Sequence, residues 1–154
     1  MTATAGVHKK GSIDLTQLIQ ITKRRQNFHK AGAIAVFIGV VRGETPQQAR
    51  VEKLELEAYE EQANQRLQRI CEDLTKREGI VDVQIHHLLG EFAVGEDLVY
   101  VLVAGAHRHR VFPVLQEAVD RYKEEAPIFK KETTIDKQGT PTSSWVSEQA
   151  SKGR

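Results

Sequence analysis

The sequence predicts an α+β fold: a mixed, mostly antiparallel sheet packed with about three helices. Two observations predict it. Apolar residues recur at helical spacing in three separate stretches, and the strand-like runs between them come in sequential pairs, which argues against a doubly wound parallel sheet. A third sets the scale. The chain has 154 residues, 40% hydrophobic and 28% charged, enough for one self-sufficient core and short for two.

The expected organisation is a flexible leader over residues 1–11, a single domain over 12–148 and a polar tail over 149–154. In "SIDLTQLIQITKRRQNF", Leu15, Leu18, Ile19 and Thr22 share one helical face, with Asp14 and Gln17 as a capping box. The run "GAIAVFIGVVRG", Gly32 to Gly43, is continuously apolar and closed by glycines, which predicts a strand buried on both faces, with Arg42 at its exit. A turn follows, and "VEKLELEAY" predicts a second strand. From Glu60 to about Glu78, Ala63, Leu67, Ile70, Cys71 and Leu74 form the apolar stripe of a charged helix that Gly79 is expected to stop. "IVDVQIHHLLG" and "EDLVYVLVAGA" predict two further strands, joined by the turn "EFAVG".

The next stretch, "HRHRVFPVLQEAVDRYKEEA", predicts a helix with Pro113 in its first turn and Val111, Leu115, Ala118, Val119 and Tyr122 on its buried face. After Pro127, "IFKKETTI" predicts an edge strand, and a polar tail carries the lone Trp145.

Totals exclude several classes. A net charge of +1, from 22 Lys and Arg against 21 Asp and Glu, supplies no overall basic field for nucleic acid or a membrane surface. One cysteine, Cys71, allows neither an intrachain disulfide nor a thiolate cluster, and it falls on an apolar helix stripe where a small core residue is expected. The pairs His86/His87 and His107/His109 lack the carboxylate or cysteine spacing that would complete a metal site, and no cofactor motif is present. No secretory or membrane-spanning run appears, so a cytoplasmic location is expected.

Two groups of residues can carry chemistry. Val111, Leu115 and Val119 stand at i+4 spacing, and Lys123 is the next member of that row. Alternation then puts Ile128, Lys130 and Glu132 on one face of the following strand, and Phe129 and Lys131 on the other. If Lys123 and Lys130 converge across the Pro127 corner, each ammonium disfavours the other's charge, and a lysine so placed serves as base or nucleophile. The alternative is a snorkelling lysine at a helix end and a solvated one guarding a strand edge. The second group is "GAHRHR", Gly105 to Arg110, where a strand-to-helix junction offers backbone N–H groups to an anion and His107, Arg108 and Arg110 add donors.

These residues are also where the chain resembles a known family, the large catalytic subunit of molybdopterin synthase. The resemblance runs from about Gly32 to Trp145, through "FIGVVRG", "LELEAY", "HLLGEFAVGE", "AHR", "YKEEAPIFKKE" and Trp145-Val146. It implies an α/β-hammerhead-like version of the α+β architecture. It also implies a reaction: cyclic pyranopterin monophosphate receives two sulfur atoms, delivered as a thiocarboxylate at the C-terminal Gly-Gly of a ubiquitin-like small subunit. The product is the dithiolene of molybdenum cofactor biosynthesis. The assembly implied is a homodimer of large subunits within a heterotetramer. Carried over by position, Lys123 and Lys130 are the active-site lysines, Arg42, His107 and Arg108 surround the pterin and its phosphate, and Phe37 is a pocket aromatic. Lys152 or Arg154 would stand in for a basic residue that follows the tryptophan in the family. A helix from about Arg110 to Ala126 spans roughly 25 Å, so its two ends fit one small site only if that site is shared across the dimer. The rival expectation is a binding module derived from this family that holds an anionic or protein partner without chemistry.

Overall fold

The structure, a computed structural model, describes residues 5–146. In chain order it comprises β1 (Ala5–Lys9), α1 (Leu15–Lys23), a 3-10 turn (Phe28–Lys30), β2 (Ala33–Val40), β3 (Arg50–Ala58), α2 (Glu60–Thr75), β4 (Ile80–Ala93), β5 (Asp97–Gly105), α3 (Arg108–Glu125), β6 (Ile128–Ile135) and β7 (Pro141–Val146). The seven strands order as β2-β5-β4-β3-β6-β7, with β1 beside β4. Among the described residues only the β1–β4 pair is parallel. The α+β class with a mostly antiparallel sheet and three helices is as predicted.

The sheet is covered on both faces. Leu67, Ile70 and Leu74 of α2 and Val111 and Ala118 of α3 pack against Ile85, Val101 and Val103, while Leu18 of α1 joins Leu54, Leu88, Phe92 and Leu102 on the other side. The continuously apolar β5 serves both, because Val101 and Val103 face one layer and Tyr100 and Leu102 the other. All five residues of the α2 stripe are buried, as its periodicity requires. Leu67 is fully buried, so Leu67→Ala leaves a cavity and is expected to destabilise the fold by about 2–5 kcal/mol in urea unfolding.

Several local expectations are corrected. The leader expected to be flexible contributes β1, whose Ala5 is buried and whose register follows β4 from Ile85 to Leu89. Its polar look misled because a short parallel strand needs only a backbone partner and one or two buried side chains. The run around β2 is not buried on both faces. It lies at the end of the sheet, with Ile38 41% and Val40 50% exposed. Conversely β6 is no edge strand, since β7 pairs along it and takes Trp145 out of the expected tail. Asp14 caps α1 by accepting from Thr16 N at 2.7 Å, with no reciprocal bond from Gln17. Pro113 is the sixth residue of α3, beyond its first turn. The hairpin turn begins at Val94, because β4 extends to Ala93. The first four residues, the tail expected over 149–154, Lys152 and Arg154 lie outside the described residues.

Beneath α1 runs a directed polar chain. Gln84 Nε2 donates to Thr22 Oγ1 (2.6 Å) and to Asp82 Oδ2 (2.7 Å), so its Oε1 is the acceptor that faces His86 Nε2 at 3.1 Å. His86 must therefore carry its proton on Nε2 and accept at Nδ1 from His8 Nε2, 2.9 Å away. A second proton on His86 would break that contact. Burial, then the neighbouring His8 and Arg25, push its pKa down to about 3, and burial lowers His8 in the same direction. The unfolded chain binds a proton on His86 below about pH 6.5 that the folded chain refuses until about pH 3. Stability is thus full above that window and falls with decreasing pH, by about 1.4 kcal/mol per unit within it. Urea midpoints from pH 8 to pH 4 are expected to drop more steeply for the native chain than for His86→Gln; equal slopes would refute the assignment.

Candidate active site

The start of α3 is set by two glycines. Gly79 takes φ +78° in the turn entering β4, and its carbonyl stands 2.6 Å from where a side chain at Gly105 would begin. Only glycine at 105 lets the two backbones meet, and Ala106 N then donates to Gly79 O at 2.8 Å. His107 follows as the extended N-cap residue of α3, with no side-chain capping bond. His107, Arg108 and His109 are exposed there. Arg110, expected as a further anion donor, instead lies over Gly79 and donates to Glu78 Oε2 at 3.4 Å.

Lys123 occupies the last turn of α3, and the helix ends where Ala126 turns extended before Pro127. That corner is pinned by Tyr59 N donating to Pro127 O at 3.2 Å. β6 then pairs Lys130 with Leu56 and Val146, and Glu132 with Leu54 and Ser144. Lys131 takes the other face, its ammonium 6.0 Å from the centre of the Trp145 ring. The row Leu115, Val119 and Lys123 is half-buried, so the lysine does continue a packed ridge.

These elements enclose a cleft of about 690 Å³. Phe37, Arg42, Lys123 and Lys130 all line it, together with Glu132 and the loop wall that begins at Glu44. Within one chain His107 and Arg108 are absent from that lining, as expected from the length of α3: 18 residues place its ends about 27 Å apart. A neighbouring groove of about 710 Å³ shares Lys123, Trp145 and Val146, and is walled by Tyr59 and Phe129, whose rings meet edge-on at 5.0 Å. Arg42 and Glu44 form no ion pair among the described residues.

A family model described as MoaE protein matches residues 8–125. The chain belongs to the MoaE family. It is 41% identical over 109 residues to a protein of Haloferax volcanii named probable molybdopterin synthase, and the match spans 70% of this chain but only 42% of that protein. The molybdopterin synthase catalytic subunit of Pyrococcus abyssi is 40% identical over 103 residues, covering 67% of this chain and 69% of that one. A crystal structure of molybdopterin synthase from Staphylococcus aureus superposes with a TM-score of 0.78 at 28% identity, covering 95% and 98% of the two chains.

Residue types alone missed part of the MoaE cleft. Glu132 was within reach, because alternation puts it on the face of Lys130. Glu44 was not, since only the return of β3 beside β6 folds the loop after β2 over the lysines. Cys71 is buried in the core cluster, and burial pushes its thiol pKa well up, so it is an inert side chain rather than a nucleophile. Among the described residues no group of three or more His, Cys, Asp or Glu is arranged to hold a metal, and no helix is long and apolar enough to cross a membrane.

Proposed function

We propose that this chain is the catalytic subunit of a molybdopterin synthase, transferring sulfur from a thiocarboxylated small subunit to cyclic pyranopterin monophosphate. The observation that carries the reading is the meeting of Lys123 and Lys130, from two different elements, in one cleft with Arg42 and Phe37. That the Pyrococcus abyssi relative is named a catalytic subunit supports a second chain in the assembly. The extended Gly-Gly tail of a ubiquitin-like protein is thin enough to reach the lysines through such a cleft.

In this reading the ammonium groups hold the acyl carboxylate and the oxyanion that develops on it, and one of them transfers protons as sulfur attacks. Arg42 neutralises the cyclic phosphate and eases its departure as a leaving group. His107 and Arg108 serve the site of a second copy. Gly32 N donates to Gly105 O at one end of β2, beside the start of α3, while Arg42 follows the other end. The open β2 edge with exposed Ile38 and Val40 favours a two-fold dimer there, in which antiparallel edges would set Arg42 near His107 and Arg108 of the partner subunit.

The test is reconstitution. Mixed with thiocarboxylated small subunit and the pterin precursor, the chain is expected to yield the dithiolene product, detected by mass or by the fluorescence of its oxidised pterin derivative. Binding of the small subunit without any product would favour the non-catalytic binding module instead.

A further inference from the structure

The cleft is lined by charges of both signs, and only the cations are used by the chemistry above. Lys123 and Lys130 rise from the α3–β6 corner, and Arg42 stands at the exit of β2. Beyond Arg42 the wall continues as Glu44, Thr45, Pro46 and Gln47. This wall is a built feature rather than a trailing loop. Val51 N donates to Gly43 O at 3.0 Å, Glu44 bridges to Arg50, Thr45 N donates to Ala49 O at 2.9 Å, and Gln48 N to Thr45 O at 2.8 Å. Gln48 is held at φ +68°, the left-handed region, to close the turn. The backbone on both sides of Glu44 is therefore fixed, and its exposed carboxylate is committed to no ion pair among the described residues.

Resting on the proposed substrate, we infer that Glu44 is a specificity-determining residue that reads the pyrimidine edge of the pterin. The substrate has two chemically opposite ends. Its cyclic phosphate is an anion and its reacting carbons adjoin that phosphate, so this end belongs with the lysines and Arg42. The other end presents the 2-amino group and the adjacent ring N–H, two parallel donors that match the two oxygens of a carboxylate. Once the lysines take the acyl group and Arg42 the phosphate, the wall that starts at Glu44 is the part of the cleft left to face those donors. Glu132 is the other carboxylate of the lining. It sits two residues from Lys130 on the same strand face, at the reacting end, and so is placed for the lysines rather than for the pyrimidine edge.

The experiment compares two phosphate-free probes, pterin and lumazine, which differ in carrying an amino group or a carbonyl at ring position 2. Fluorescence titration of the native chain is expected to favour pterin by about tenfold or more, because the lumazine carbonyl would face the carboxylate unpaired. In Glu44→Gln that preference should shrink to about twofold, and the KM for the full substrate should rise about tenfold with a much smaller change in kcat. Glu44→Asp should retain part of the preference. An equal preference in native and Glu44→Gln chains, or none in the native chain, would overturn the inference while leaving sulfur transfer intact. Failure of the native chain to turn over substrate would instead strike at the proposed function itself.

Discussion

Replacing Lys130 by alanine is expected to lower the rate of dithiolene formation by about 10³-fold or more, while binding of the small subunit remains measurable. The size of the effect follows from the roles that the proposed reaction gives the two ammonium groups. Removing a preorganised charge aimed at a developing oxyanion costs on the order of 10²–10³ in rate, and losing a positioned proton carrier costs a comparable factor. Fold loss is a lesser concern, because Lys130 is only half-buried and the backbone of β6 is paired on both sides, to β3 and to β7. Lys130→Met keeps most of the aliphatic stem and should be as inactive as Lys130→Ala. Normal turnover in either variant would remove Lys130 from the chemistry, and loss of small-subunit binding in both would reassign it to the interface.

The second large effect concerns sharing of the site. Arg108→Ala and Lys123→Ala should each be nearly inactive alone. After denaturation and refolding as a mixture, about a quarter of native activity is expected to return, because half the dimers are mixed and each of these rebuilds one complete site out of two. Helix geometry sets this expectation: α3 carries His107 and Arg108 at its start and Lys123 in its last turn, so its own length keeps them apart. A mixture as inactive as its components would show that the two ends of the helix do not serve a common site between subunits.

The lysine pair shows how far a local pattern reaches. Lys123 at the end of an i+4 row and Lys130 on a strand face past Pro127 were legible because helical and strand periodicities are properties of neighbouring residues. Their arrival in one cleft needed only the corner between two consecutive elements. The junction at His107 and Arg108 was legible for the same reason, as a strand end followed by a helix start, although Arg110 turned out to be engaged by Glu78.

What the sequence determined by itself, then, is local: the buried stripe of α2, the extent of α3, the α+β class, and the residues gathered around Pro127. Tertiary structure alone decided which strands are edges. The apolar run of β2 reads like that of β5, yet among the described residues β5 lies between β2 and β4 while β2 has one neighbour, and burial on both faces comes from position in the sheet as much as from composition. The docking of β1, the cover that β7 gives β6, and the arrival of Glu44 in the cleft that holds the lysines likewise rest on pairings between residues far apart in the chain. Strand order is a long-range choice among many backbone-compatible pairings, and no short stretch of sequence encodes it.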